Sequence, residues 1–275
     1  MKNISEKSSV NSRLIKQIPN IFTLLNLFFG CLAIVVVTQP GLIVSQDENL
    51  QQIIDIPEKM VYASLFIAIA AVVDFLDGFV ARLLKATSEM GKQLDSLADV
   101  VSFGVAPGMI IYQFLRLSYS QDIESLNNNS IWLYAAFILP CAGAYRLARF
   151  NLDITQTQVF KGVPIPAIGL LVASYPLVYF NNHTQWIYEI IMNQWFWFAA
   201  IIISSYLMIS THPMISLKLN GINLKSLTPL IILLIVAIIT SILFGWLAVT
   251  FTFFAYLLIS YYYLKNTSQP NQSDN

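Results

Sequence analysis

Eight long apolar runs dominate this chain, near residues 20–38, 60–81, 95–117, 130–150, 163–181, 194–211, 227–243 and 246–264. A helix needs about 20 mostly apolar residues to cross a bilayer, and the runs approach or meet that length. They are continuous rather than alternating in polarity, which argues against membrane strands. The pattern predicts an all-α, polytopic membrane bundle of about eight transmembrane helices, the last two folded as a hairpin at Gly245. Composition agrees. Of 275 residues, 11% are charged and 56% hydrophobic, whereas a soluble globular protein, whose surface must be wetted, carries about 25% charged residues. Lys+Arg and Asp+Glu balance at 15 each, so there is no basic excess to attract nucleic acid, and none is expected as a partner.

Charge placement orients the bundle. With eight spans and a cytoplasmic N-terminus, 13 of the 15 basic residues fall on the cytoplasmic side, leaving Lys59 and Arg116 outside. That is the bias the positive-inside rule requires of short loops. Both termini are then cytoplasmic. Residues 1–18 are expected to be a cytoplasmic or interfacial segment, 19–264 one transmembrane domain and 265–275 a disordered tail. The polar, acidic stretch 39–59 reads as an extracytoplasmic loop, and no cleaved signal peptide is expected. Cys31 and Cys141, far apart and inside apolar runs, read as packed inert thiols. The aromatics Trp195, Phe196 and Trp197, and Tyr261 to Tyr263, read as interface belts, and His183 and His212 as interfacial residues.

In a chain so poor in charge, one stretch concentrates carboxylates: Asp74, Asp77, Asp95 and Asp99. The first pair is spaced i, i+3 and the second i, i+4, so each pair shares one face of its helix. A turn between Lys85 and Gly91 would bring the two helices side by side and the four carboxylates together. Such charges stay ionised in low dielectric only if cations hold them. An all-oxygen set suits Mg²⁺, Mn²⁺ or Ca²⁺, and two such ions about 4 Å apart serve displacement at phosphorus. Gly78 and Ala81 leave room on the carboxylate face, Arg82 can meet a phosphate oxygen, and Ser88 can add a hydrogen bond. The competing reading makes the carboxylates structural ion pairs with Arg82, Lys85, Arg146 and Arg149.

The string Asp74-x2-Asp77-Gly78-x2-Ala81-Arg82-x8-Gly91-x3-Asp95-x3-Asp99 resembles the signature of the CDP-alcohol phosphatidyltransferases. The resemblance implies a membrane enzyme that exchanges the CMP of a CDP-linked lipid for an alcohol. It implies that the four aspartates bind two divalent ions, Mg²⁺ or Mn²⁺, and that Asp99 also deprotonates the incoming hydroxyl. It further implies CDP-lipid contacts from Gly78, Arg82 and Ser88, and from Asn20 and Thr23 at the start of the first span. The stretches Pro19–Asn26, Ala86–Glu89, Asp95–Pro107, Tyr145–Asn151 and Phe160–Ala167 resemble the phosphatidylserine synthase branch. The substrates implied are CDP-diacylglycerol and L-serine, in a bacterial inner membrane, with membrane lipids around the chain and a homodimer as the family's common state. Arg146, Arg149, Asn151 and Lys161 are then candidates for the serine pocket. Each has a competing reading as a headgroup anchor. Two other functions stay open: the same transfer to glycerol phosphate, inositol phosphate or choline, and a divalent-cation transporter using the aspartates as its site.

Overall fold

The computed structural model describes residues 17–39, 43–46, 52–121, 130–153, 160–182, 184–215 and 224–267. The N-terminal segment with Arg13 and Lys16, His183, Lys218 and the tail beyond 267 lie outside the described residues.

The bundle begins with α1 (Ile18–Thr38), opened by Pro19 in its first turn, where a missing N–H costs nothing. Its buried residues, Pro19, Thr23, Asn26, Gly30, Ala33 and Val37, recur every three or four positions. They form a single inward stripe, while Ile21, Leu24 and Phe28 face out. The expected loop 39–59 contains a short antiparallel hairpin, β1 (Ile43–Gln46) and β2 (Gln52–Asp55). It is tied to the bundle by Tyr179, whose hydroxyl donates to Asp55 Oδ1 at 2.8 Å.

Helix α2 (Met60–Leu83) packs along α1. Its inward stripe runs Met60, Ala63, Ser64, Ile67, Ala70 and on to Asp77. The chain turns over Leu84–Thr87, with Lys85 at φ +49°, and α3 (Glu89–Asp99) starts earlier than the sequence predicts, because Ser88 caps it. Helix continues without a break through Val100–Val105, but as a π-turn closed by Ala106 N–H to the Val101 carbonyl, five residues back. Helix α4 (Ala106–Ser120) follows. A 3₁₀ stretch over Ser130–Phe137 leads into α5 (Ile138–Leu152). Then come β3 (Phe160–Lys161), α6 (Ile165–Asn181), α7 (Gln185–Met192), α8 (Gln194–Ile209) and β4 (Pro213–Met214), which pairs with β3. The last elements are α9 (Leu224–Phe244), a 3₁₀ turn at Gly245–Leu247 and α10 (Ala248–Thr267).

All eight apolar runs are helical, but their lengths do not give eight equal crossings. Among the described residues five helical stretches are long and apolar enough to span, and six if α7 and α8, bent by 70°, count as one. Helix α6 has only 17 residues. The final stretch of 36 residues would reach roughly 54 Å if straight, far beyond a hydrocarbon core of about 30 Å. It folds instead at Gly245, whose φ of +57° reverses the chain so that α9 and α10 pack on one another. α10 runs to Thr267, past the expected boundary at 264.

Two smaller expectations fail. Trp197 is no belt residue: it is fully buried, stacked on Phe114 at 4.8 Å, with its indole N–H donating to the Ile191 carbonyl. Trp195, Tyr261 and Tyr262 do face outward. Cys31 and Cys141 are exposed on the apolar surface rather than packed inside.

Candidate functional site

Three elements build the site: the C-terminal half of α2, all of α3, and the inward stripe of α1. Asp74 and Asp77 extend the stripe that buries α2, so the same periodicity that packs the helix aims both carboxylates inward. Asp95 and Asp99 lie one turn apart on α3. Asp74, Asp95 and Asp99 each offer an oxygen, and these atoms all lie within 4.8 Å of one another. Asp77 stands outside that trio. Its Oδ2 accepts from the Thr23 hydroxyl at 2.7 Å. The convergence expected of four carboxylates is thus observed for three, with the fourth held beside them from α1.

Three hard carboxylate oxygens so close together repel one another unless a cation lies between them. With no nitrogen or sulfur donor in the group, the set fits a divalent ion of the Mg²⁺ or Mn²⁺ kind. Such an ion would neutralise phosphate oxygens brought to this point.

The residues around the aspartates sort by what they touch. Thr23 is engaged by Asp77, with the Pro19 carbonyl a longer second acceptor at 3.2 Å. Asn20 donates to Gln17 Oε1 and lies across from Ser88. A Cβ added at Gly91 would sit 3.1 Å from both Asn20 Oδ1 and Ser88 Oγ, so the glycine is what lets α1 and the start of α3 approach. Ser88 Oγ accepts the Gly91 N–H at 3.0 Å and is a helix cap first. Arg82 folds back over Gly78, with Nη1 3.6 Å from where a Cβ would be. The Gly-x2-Ala-Arg spacing therefore lays an exposed guanidinium along the same end of α2 as the carboxylates.

The four residues proposed for a serine pocket separate. Arg146 is buried, 6% exposed, interacts electrostatically with Asp99, and its Nε has no hydrogen-bond partner. Arg149 donates to the carbonyls of Ile209 and Ser210, the C-terminal end of α8, a favourable place for a cation. Asn151 ties α5 to α3, donating to Ser96 Oγ at 2.8 Å, while its carbonyl accepts from Lys92 Nζ. Lys161 pairs with Asp153 at 2.9 Å. Only Arg146 combines burial, nearness to the aspartates and a free N–H.

Sequence reasoning passed over Asn26. It is fully buried, and its Nδ2 lies 3.4 Å from Asp99 Oδ1. The signal was present in the stripe Thr23, Asn26, Gly30, a run of polar and small residues on one face of an otherwise apolar helix. The π-turn after Asp99 was also unread. It carries Ser102 against α1, where Oγ donates to the Asn26 carbonyl at 3.0 Å. At Gly30 any Cβ would collide with Ser102.

Comparison with known proteins places this geometry. The chain is 38% identical over 117 residues to the CDP-diacylglycerol–serine O-phosphatidyltransferase of Bacillus subtilis (strain 168), covering 42% of this chain and 61% of that protein. It is 32% identical over 156 residues to the enzyme of the same name from Helicobacter pylori (strain J99), covering 56% and 54%. To that of Saccharomyces cerevisiae it is 38% identical over 125 residues, covering 42% and 41%. The matched stretches thus take in about half the length of these relatives. The profile of the CDP-alcohol phosphatidyltransferases matches residues 16–194, which hold α1, the carboxylate trio, Arg82 and Arg146 together; the chain belongs to the CDP-alcohol phosphatidyltransferase family.

Proposed function

We propose that this chain transfers the phosphatidyl group of CDP-diacylglycerol to the hydroxyl of L-serine, releasing CMP. The observation that carries the reading is the convergence of Asp74, Asp95 and Asp99 beside a buried, partly unpaired Arg146. Similarity to serine phosphatidyltransferases supports the choice of alcohol.

The reaction is a displacement at the phosphorus that carries the diacylglycerol. The serine oxygen forms the new P–O bond, the bond to CMP breaks, and the serine proton must leave. The four aspartates would hold two divalent ions, whose chemistry here is to neutralise the phosphate oxygens. Arg82, laid over Gly78, binds a phosphate oxygen by a charge-assisted hydrogen bond. Asp99, fixed by α1 and buried, accepts the serine proton as the bond forms. Arg146 binds the serine carboxylate and holds the hydroxyl at the reacting phosphorus. Arg149 and Asn151 tie α5, which carries Arg146, to α8 and α3, and Lys161 is held by Asp153.

The active site faces the cytoplasm, as do both termini, in keeping with the distribution of basic residues. Cysteines placed in the 39–59 loop should react with impermeant thiol reagents from outside, and a cysteine at Lys85 should not. The reverse pattern would put the site on the wrong side for a cytoplasmic serine supply.

The test of function is CMP release by purified protein given CDP-diacylglycerol, Mn²⁺ or Mg²⁺, and one alcohol at a time. Serine should support release, and glycerol phosphate, inositol phosphate and choline should not. Mn²⁺ uptake into proteoliposomes without CMP release would favour the transporter.

A further inference from the structure

Asn26 lies on the third turn of α1, inside an apolar span, with no exposed surface. An amide at such a depth is costly unless its donor and acceptor are both matched. Here they are not. Nδ2 is aimed at Asp99 Oδ1 from 3.4 Å, the long end of hydrogen-bond geometry, and Oδ1 is buried with no donor. The opposite amide orientation would turn the oxygen towards a carboxylate, so the donor faces Asp99 on chemical grounds as well. A residue retained only to fill this space would be leucine, close in size and free of the unmatched oxygen. The backbone bond from Ser102 to the Asn26 carbonyl needs no particular side chain. Asn26 is therefore better explained by what it does to Asp99 than by packing.

We propose that Asn26 is the positioning residue of Asp99. Its amide N–H fixes one carboxylate oxygen, so that the other is presented to the site shared with Asp74 and Asp95. Thr23 does the same for Asp77 one turn earlier, at 2.7 Å, so α1 acts as a rail of neutral donors along the acidic faces of α2 and α3. Partners of this kind orient ligating carboxylates, and their loss typically costs about 10–100-fold in metal affinity or activity. The inference deepens the transferase reading and rests on it for the role of Asp99.

The experiment compares the full chain with Asn26→Leu and Asn26→Ala in detergent, measuring Mn²⁺ binding by electron paramagnetic resonance and then CMP release. Both variants should bind Mn²⁺ about tenfold or more weakly. At saturating Mn²⁺ their kcat should stay reduced, with little change in KM for CDP-diacylglycerol. Ser102→Ala, which removes only the backbone bond, should bind Mn²⁺ like the parent. If Asn26→Leu matched the parent in both Mn²⁺ affinity and kcat, the assignment would be wrong and the residue would be packing. Asn26→Ala covers the case in which leucine prevents folding. A parent that binds Mn²⁺ but releases no CMP with serine would sink the transferase reading instead, while the Mn²⁺ comparison would still decide the role of Asn26.

Discussion

The helices around the aspartates and the C-terminal hairpin are both apolar enough to cross a membrane, yet they are built on opposite terms. Fifteen of the 32 residues of Glu89–Ser120 are buried, against six of the 36 in Leu227–Tyr262, half of which are exposed. The first is surrounded by α1, α5 and α6. Its inner face carries Asp95, Asp99 and Ser102, two of them fully or nearly buried polar groups with partners on α1. The hairpin shows isoleucine and leucine around most of its circumference, among them Ile231, Leu234, Ile238 and Ile242. It touches the body along one face of α10, where the Tyr256 hydroxyl donates to the Ile215 carbonyl at 3.3 Å. The family match stops at residue 194, before the hairpin begins. Where atoms must be held to fractions of an ångström, the fold encloses the helix. Where a helix has only to dissolve in lipid, many apolar side chains serve equally well. Substitutions in the two regions should therefore differ in size by orders of magnitude.

The largest effect belongs to Asp99. Asp99→Asn keeps the shape and one ligand oxygen, but an amide cannot accept the serine proton. At saturating Mn²⁺, turnover should fall by about 10²-fold or more, the usual range for a positioned base, while CDP-diacylglycerol binding stays close to the parent's. Near-normal turnover would move proton transfer to another group. Asn replacements of Asp74 and Asp95 should differ from it, because their loss should appear first as weaker Mn²⁺ binding.

The difference between the two regions also explains what could be read from sequence. The carboxylate spacing was legible because i, i+3 and i, i+4 fix a helical face whatever surrounds it. Gly78, Arg82 and Gly91 stand in the same string, and the turn between the helices was foreseen to within a few residues. What escaped depended on the third helix. Asn26 is an ordinary residue of α1 until α2 and α3 lie beside it, and Thr23, expected at the CDP-lipid, is seen to meet a carboxylate only in the packed bundle. The separation of Asp77 from the trio has the same origin. No local pattern announces the π-turn over Val100–Val105, since one extra residue in a helix leaves hydropathy unchanged. Trp197 was misread because an aromatic near a span end suits a belt or a core equally, and only the neighbours Phe114 and Tyr175 decide. The eight runs survived as helices. By length and apolarity alone five of the described stretches qualify as crossings, six with the bent α7–α8 pair, while α6 has 17 residues and the hairpin counts as one stretch until it is divided at Gly245.

Next in size is Arg146. A hydrogen bond to a charged partner is worth about 1.5–3 kcal/mol. Arg146→Ala should therefore raise the serine KM by roughly 10- to 100-fold, with the KM for CDP-diacylglycerol little changed. Arg149→Ala should instead lower thermal stability, since its guanidinium holds the carbonyl end of α8. If the two variants behaved alike, the serine carboxylate would have to be held elsewhere.

Gly30→Ala tests enclosure without touching a charged group. The added methyl would meet the Ser102 side chain and its Cα, so α1 and the π-turn must separate. Overpacking of this kind typically costs about 1–3 kcal/mol, measurable as a lower unfolding temperature in detergent. Because the π-turn begins at the residue after Asp99, turnover should fall along with stability. An alanine tolerated without loss would show that the two helices are not locked together.

The smallest effects belong to the hairpin. Ile238 and Ile239 are each about half exposed, on the outward side of α9. Leucine at either position keeps volume and hydrophobicity and changes only where one methyl branches. On a lipid-facing surface that branch point meets no fixed neighbour, so the cost should stay within about 0.5 kcal/mol. Unfolding temperature in detergent and CMP release should both match the parent within error. The same pair of substitutions can also break the comparison, because a packed apolar contact does register a moved branch point. If the Ile238→Leu, Ile239→Leu double variant lost stability or sedimented as a smaller species, the outward face of α9 would be seated against a second copy of the chain. The hairpin would then be an enclosed element like α3, with the enclosure supplied by another molecule rather than by its own neighbours.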